Sequence, residues 1–391
     1  MRVLLPCDNY LYRYKGCYYA KSQEELDLFK RYLRVFEDLR LVGRCSDVIS
    51  LKPTYVLIDD KKIEIIPIPM FRGPFQYVRE FINIKRAIKN IYEGVDAGVL
   101  RLPSIIGSQI GFCFIRRKIP YITENLYDSQ DGYKSSENIC EVILWRIMDY
   151  LQRHLCYKAD GVSCVTQHYM QRRYYSKKEN SFSTYYSTLS LPQSFYTSPR
   201  SFPLNKQKFN IIHVANPIVC HGRKGHMQMI KMLQIVRLMN FDIQINFIGE
   251  GPEKEIEKLK SYAKKNGVYE YINFLGYLSK DAIHEQLLKS DLYVMPTKAE
   301  GLPRVVIEAM SVGLPCISSK VSGIPELLDP HFLTSYNDVN RLAELVVELL
   351  SYPDLYKKNS AENFEKSKAY ESSILEARRD EFYRKLMNIV K

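Results

Sequence analysis

The stretch richest in chemistry runs Pro296-Thr297-Lys298-Ala299-Glu300-Gly301-Leu302-Pro303-Arg304-Val305-Val306-Ile307-Glu308-Ala309-Met310. It leaves a strand, turns through a Gly/Pro loop and enters a helix. The first amides of a helix have no intrahelical partner and favour an anion such as a diphosphate above them. Pro303 lacks an N–H, so the donors are the amides of Leu302, Arg304 and Val305. Glu300 precedes the turn and Glu308 follows it about one turn into the helix, so one carboxylate reaches beyond the phosphates and the other stays on the near side. A carboxylate accepts two hydroxyl hydrogen bonds at once, which suits a ribose or hexose diol. Taken alone, the pair reads equally as a loop acid and a solvated helix residue; the surrounding elements decide between the two.

Short apolar runs at residues 2–7, 55–58, 63–66, 98–102, 121–123 and 161–165 read as strands. Between them lie a tyrosine-rich loop at 9–20 that contains Gly16, and helices at 22–36, 76–93 and 138–158. The alternation restarts with strands at 209–215, 243–249, 272–275, 292–295 and 315–318. Helices at 227–239, 253–266, 280–289, 305–312 and 341–350 separate these strands. Alternating strands and helices predict parallel sheets covered on both faces, with ligands at the carboxyl ends of the strands. The Ser-, Thr-, Tyr- and Pro-rich segment before the restart carries no period and is read as a connection at 191–207. The expected division is therefore 1–190, with a helix at 373–391 returning to it, and 208–372.

The string from Glu300 to Pro315, E-G-L-P-x-x-x-x-E-A-M-S-x-G-x-P, resembles the E-x7-E signature of family 4 glycosyltransferases, a retaining group with the GT-B fold. Gly249-Glu250-Gly251-Pro252, Phe274-Leu275-Gly276-Tyr277, Ser290-Asp291 through Pro296-Thr297, and Ser322-Gly323-Ile324-Pro325-Glu326 are similar to further motifs of that family, in its order. The resemblance covers roughly 208–350 firmly and the first half only through architecture. It implies two Rossmann-like domains facing across a cleft, with the C-terminal helix crossing back to the first. It also implies a nucleotide diphosphate sugar donor, UDP- or GDP-linked, with Glu308 on the ribose and Gly276, Tyr277 and Leu278 along the base. Glu300, Gly301 and the following amides would hold the donor sugar. In the family a basic pair binds the diphosphate: Lys224-Gly225 matches its lysine, Asn216 stands where its arginine belongs, and Arg223 is the expected substitute. Cationic groups on the leaving diphosphate stabilise the charge that builds there. With no D-x-D triplet in the sequence, no metal and no cofactor are expected.

The first half departs from the pattern. Where many members carry a histidine near the reacting sugar, this chain has Arg101 and Glu124, each following a strand; either takes its place, or the two form a salt bridge. Only Lys15-Gly16 matches the glycine pair of the family's first loop. His213, within a strand, reads as a packed core residue.

The 391 residues are 46% hydrophobic and 26% charged, which fits a globular chain of two or three domains. Lys and Arg exceed Asp and Glu by 56 to 44, favouring an anionic partner. Basic residues cluster in the first half with interleaved aromatics, Arg72, Arg79, Lys85, Arg86 and Lys89 beside Phe75 and Phe81 among them, and read either as a patch for an acidic leaflet or as ordinary solvated helix faces. No nucleic-acid module accompanies the charge. The longest apolar stretch, 97–115, is broken by Arg101, Pro103, Ser104, Ser108 and Gln109, so no spanning helix is expected. Nine cysteines without a C-x-x-C pair argue against a zinc site or disulfide framework.

The expectation is a cytoplasmic retaining glycosyltransferase, peripheral at the inner face of the plasma membrane. It would pass a sugar to a glycan or polyprenyl-linked glycan in surface-polysaccharide assembly. A sugar-nucleotide epimerase of the same fold and a non-catalytic nucleotide-sugar-binding partner protein are the rival readings.

Overall fold

In the computed structural model, which describes residues 1–136 and 138–390, the chain divides into two units, each built on its own sheet. The first comprises Met1–Tyr133, Asn138–Tyr186 and Glu376–Lys391, and the second Lys134–Glu137 and Ser187–Leu375.

Strands β1 (Arg2–Tyr14), β2 (Cys17–Ala20), β3 (Asp38–Asp47), β4 (Val56–Leu57), β5 (Ile63–Pro69), β6 (Ala97–Leu102), β7 (Tyr121–Asn125), β8 (Gly161–Cys164) and β9 (Phe182–Tyr185) form the first sheet. Seven of them run parallel in the order β5-β3-β1-β6-β7-β8-β9. Val3, Leu4 and Leu5 are all buried, as a sheet covered on both faces requires. Helices α1 (Gln23–Tyr32), α2 (Gly73–Ala87), α3 (Ile105–Arg117), α4 (Ser129–Ser135) and α5 (Ile139–Lys158) connect the strands.

One expectation for this half is corrected and one strand is added. Residues 9–20 are not a loop: β1 continues to Tyr14 and turns back into β2, with Gly16 (φ +81°) in the turn. Gly16 therefore sits at a hairpin tip, well past the end of the β1–β6 pairing at Leu4. β3 escapes sequence reading because Arg40 interrupts its apolar run. That guanidinium is buried, where it donates to the carbonyls of Ile91 and Glu93 at 2.7 Å and to Glu64 at 2.9 Å. The broken apolar stretch at 97–115 holds the expected strand, β6, followed by the helix α3.

The second unit carries β10 (Lys208–Val214), β11 (Asp242–Ile248), β12 (Ile272–Phe274), β13 (Leu292–Met295), β14 (Cys316–Ser319) and β15 (Leu333–Thr334). They are parallel in the order β12-β11-β10-β13-β14-β15. Helices α6 (His226–Leu238), α7 (Glu253–Lys265), α8 (Lys280–Lys289), α9 (Arg304–Ser311), α10 (Ile324–Leu327), α11 (Val339–Ser351) and α12 (Pro353–Ser367) pack around this sheet. Ile211, Ile245, Phe247, Leu233 and Leu345 are completely buried in its core.

Residues 191–207 belong to this unit instead of forming a free connection. Arg200 donates to the carbonyls of Leu287 and Val312 at 2.9 Å, the Tyr196 hydroxyl to Ser367 O at 2.9 Å, and Phe202 meets Tyr356 edge-on. Side-chain-to-backbone bonds of this kind leave no hydrophobic period to read.

The last helix, α13 (Ser372–Val390), starts in the second unit and from Glu376 onward belongs to the first. Residue 391, part of the expected helix, lies outside the described residues. Phe382, Tyr383 and Leu386 are buried, each such side chain contributing about 1.5–3 kcal/mol. No helix among the described residues is long and apolar enough to cross a membrane.

Candidate active site

Because β10 to β14 run parallel, the residues that follow them share one edge of the second sheet. Three of those segments lock together. The amide of Lys298 donates to Arg223 O at 2.9 Å, pinning the loop after β10 to the loop after β13. Gly225 (φ +71°) lies so close to the second loop that a Cβ there would stand 2.0 Å from Pro296 O. The amide of Glu300 donates to Ser322 Oγ at 3.1 Å, tying in the segment after β14.

This backbone packing brings Lys224 Nζ to 2.5 Å from Glu300 Oε1. Thr297 Oγ1 lies 3.0 Å from the same oxygen and 3.1 Å from Arg223 O, with one proton for either. Glu300 is 8% exposed, and the Lys224 side chain keeps about a quarter of its surface. Arg223 is exposed beside it.

Gly301, Leu302 and Pro303 then lead into α9, whose start carries no side-chain cap. The amides of the first turn are thus left to a ligand or to water. Val306, Ile307, Ala309 and Met310 bury the inner face of α9. Arg304 and Glu308, four apart, share the outer face, and Val305 is half-buried beside them. Past β12, Gly276 O accepts from the amide of Gly249 at 2.9 Å, Tyr277 is 68% exposed and Leu278 half-buried. Asn216 is exposed past β10.

Two histidines lie under the Lys224 loop. His213 Nδ1 is 2.9 Å from Val294 O, and its ring meets that of His226 edge-on at 4.9 Å. Burial first, then the nearby Lys224 charge, lowers His213 to about 4. Burial, His213 and Lys224 lower His226 to about 2. Both rings stay neutral near pH 7, so cationic charge here is left to Lys224 and Arg223.

In the first unit Arg101 and Glu124 form the salt bridge that was the second of the two readings above. Arg101 and Glu124 are register partners on β6 and β7, with Arg101 Nε 3.5 Å from Glu124 Oε2. The Glu124 carboxylate also takes the hydroxyls of Tyr383 at 2.6 Å, Tyr32 at 2.7 Å and Tyr186 at 2.8 Å. It is 4% exposed and accepts three tyrosine hydroxyls beside the Arg101 guanidinium, an arrangement that anchors the sheet from within. Burial raises its pKa, but Arg101 and the Tyr383 and Tyr32 hydroxyls outweigh this, and the net shift is downward. Gly16, at its hairpin tip, has open space around it.

Sequence reading missed a cavity of about 310 Å³ in this unit. Asp8, Arg44, Phe71, Tyr77, Ser104 and Trp145 are among its walls. Arg44 stacks between Tyr10 and Phe71, 4.5 and 4.9 Å from the ring centroids, and the Asp8 side chain is 40% exposed. These residues are scattered from position 8 to 145, so no local motif announces them.

Residues 198–367 match the family described as Glycosyl transferases group 1. With two doubly wound units, this makes the chain a glycosyltransferase of the GT-B fold. It is 24% identical over 393 residues to Protein CapJ of Staphylococcus aureus, covering 99% of this chain and 97% of that one. Among solved structures it is similar to sucrose-phosphate synthase from Thermosynechococcus elongatus, with a TM-score of 0.74 at 14% identity over 99% of both chains. It is also similar to Anabaena HepE in complex with UDP, with a TM-score of 0.69 at 13% identity over 98% of this chain and 100% of that one.

Proposed function

We propose that the protein transfers a sugar, with retention at its anomeric carbon and without a metal, from a nucleotide diphosphate sugar to a glycan in surface-polysaccharide biosynthesis. The observation that carries this is the Lys224–Glu300 pair beside the uncapped start of α9. Likeness along almost the whole chain to Protein CapJ supports the pathway. A UDP-linked donor is supported by HepE, which has been crystallised with UDP and with UDP-glucose.

In this reading Glu308 accepts the ribose hydroxyls, and Gly276, Tyr277 and Leu278 lie along the base. Lys224, Arg223 and the amides of Leu302, Arg304 and Val305 hold the diphosphate. Glu300, Gly301 and their neighbours hold the donor sugar. The bond from the anomeric carbon to the phosphate oxygen breaks as the acceptor oxygen bonds to that carbon on the same face, and the acceptor hydroxyl's proton passes to the departing phosphate oxygen. Negative charge collects on the leaving diphosphate, where fixed cations and amides lower the barrier. The aromatic cavity of the first unit, with Asp8 and Arg44 in its wall, supports binding of the acceptor, a glycan carried on a polyprenyl lipid at the inner membrane face.

Thermal stabilisation by UDP-, GDP-, ADP- and dTDP-sugars, on the wild type and on Glu308→Ala, tests the donor site. A ligand at 100 times its Kd adds about 2.7 kcal/mol. A shift with one nucleotide class, lost in Glu308→Ala, is expected; no shift with any overturns the reading. Release of nucleoside diphosphate only when acceptor is present separates a transferase from an epimerase.

A further inference from the structure

We infer that helices α2 and α5 of the first unit, which both line its cavity, form a docking surface for an anionic lipid bilayer. Docking itself is independent of the proposed function; what the cavity binds rests on that reading.

The α2 helix exposes Phe75 at 91%, Val78 at 71% and Ile82 at 63%, spaced i, i+3, i+7 on one face. On α5, Ile139, Ile143, Ile147 and Tyr150 are exposed by half or more, at i, i+4, i+8 and i+11. Single exposed apolar residues need no explanation, but two such stripes do. Both helices line the same cavity, α2 through Pro74 and Tyr77 and α5 through Leu144, Trp145 and Met148, and at 100° per residue Tyr77 and the three α5 residues lie on faces turned away from the stripes, which leaves the stripes facing outward on either side of it.

Charge selects the occupant. Arg72, Arg79, Lys85, Arg86 and Lys89 stand in or beside α2 against the single acid Glu80. At 100° per residue, all five cations fall on the outward half of the helix with the apolar stripe, opposite the buried Ile84. Apolar side chains flanked by Lys and Arg are the pattern of a helix lying in a membrane interface, where anionic headgroups attract the cations. A second copy of the chain would set two cationic helices against each other.

The test is sedimentation of the full chain with vesicles of phosphatidylcholine, with and without phosphatidylglycerol. The wild type should bind the mixed vesicles, and added salt should weaken binding. Phe75→Ser/Val78→Ser/Ile82→Ser should weaken it more than about 10-fold, and Arg79→Glu/Lys85→Glu/Arg86→Glu about 100-fold. Both variants change exposed residues and should keep the wild-type Tm and donor-induced thermal shift. Absence of wild-type binding, or equal binding by all three proteins, overturns the docking surface while an intact donor shift leaves the proposed function standing. A fall in oligomeric mass on serine substitution, with vesicle binding unchanged, also overturns it and assigns the face to a second copy. Loss of the donor shift in the wild type overturns the proposed function and not the docking.

Discussion

Lys224 and Glu300 are 76 residues apart in sequence, yet their side chains meet at 2.5 Å because Gly225 lets the loop after β10 lie on the loop after β13. Lys224→Ala should lower kcat by about 10²–10³, the usual effect of removing one fixed donor from developing charge. Glu300 then loses its cation but keeps the Thr297 hydroxyl. With Lys224 partly exposed, the stability loss should stay near about 1 kcal/mol. Initial rates together with Tm separate the two effects.

Glu308 should govern donor affinity. Losing hydrogen bonds to a charged group costs about 1.5–3 kcal/mol, so Glu308→Ala should weaken UDP binding by about 10- to 150-fold. The side chain sits half-buried on the outer face of α9, so Tm without ligand should fall by less than the donor-induced shift that is lost. Calorimetric titration with UDP reads this directly.

The His213–His226 pair predicts an acid weakness of the second unit. In an unfolded chain both titrate near about 6.5, whereas in the fold they are pushed down to about 4 and about 2. Below pH 6.5 the unfolded state therefore binds protons that the folded state does not. Stability is complete above that pH and falls as pH drops towards 4. Two such protons cost about 2 kcal/mol between pH 6 and 5. Urea midpoints across this range should show that loss, and His226→Gln should remove about half of it.

Glu124 makes the contrast between structural and catalytic roles testable. Glu124→Gln leaves Arg101 and three tyrosine hydroxyls around a neutral group, and breaking such a buried pair costs about 3–5 kcal/mol. Activity measured well below the lowered Tm should remain within a few-fold of wild type. Because its folded pKa is lowered, the stability Glu124 supplies is present above its ordinary value of 4.5 and lost below it. A large kcat loss without a Tm change would instead restore it to the reaction.

What the sequence made legible follows from how far apart the interacting groups lie. The residues of the second unit that we propose hold the donor occupy short strings at strand ends, where Gly, Pro and an acid recur in the family's order; Thr297 and Ser322 stood inside those strings without being assigned a role. The first unit offered no such strings. Tyr32, Tyr186 and Tyr383 reach Glu124 from 92, 62 and 259 residues away, and only the folded sheet gathers them. The cavity walls from Asp8 to Trp145 have the same origin. β3 was hidden by a buried arginine that is satisfied by two carbonyls and a carboxylate, which no hydropathy pattern anticipates. Residues 191–207 were misjudged because composition reports the lack of a period, not the lack of contacts.

Gly225→Ala joins the fold to the site. Its φ of +71° is unfavourable for any L residue, at a cost of about 1–2 kcal/mol. The added methyl would also meet Pro296 O at 2.0 Å, a backbone atom that no rotamer change can move aside. The loop after β10 must then lift, loosening the Lys298–Arg223 bond and carrying Lys224 away from Glu300. A Tm loss is expected, and with it a fall in donor affinity and kcat as large as that of Lys224→Ala, although the lysine is still present. Combining Gly225→Ala with Lys224→Ala should add little further loss of activity, since both remove the same contact. Full additivity in that cycle would show that Gly225 serves only stability and that Lys224 reaches its place by other means.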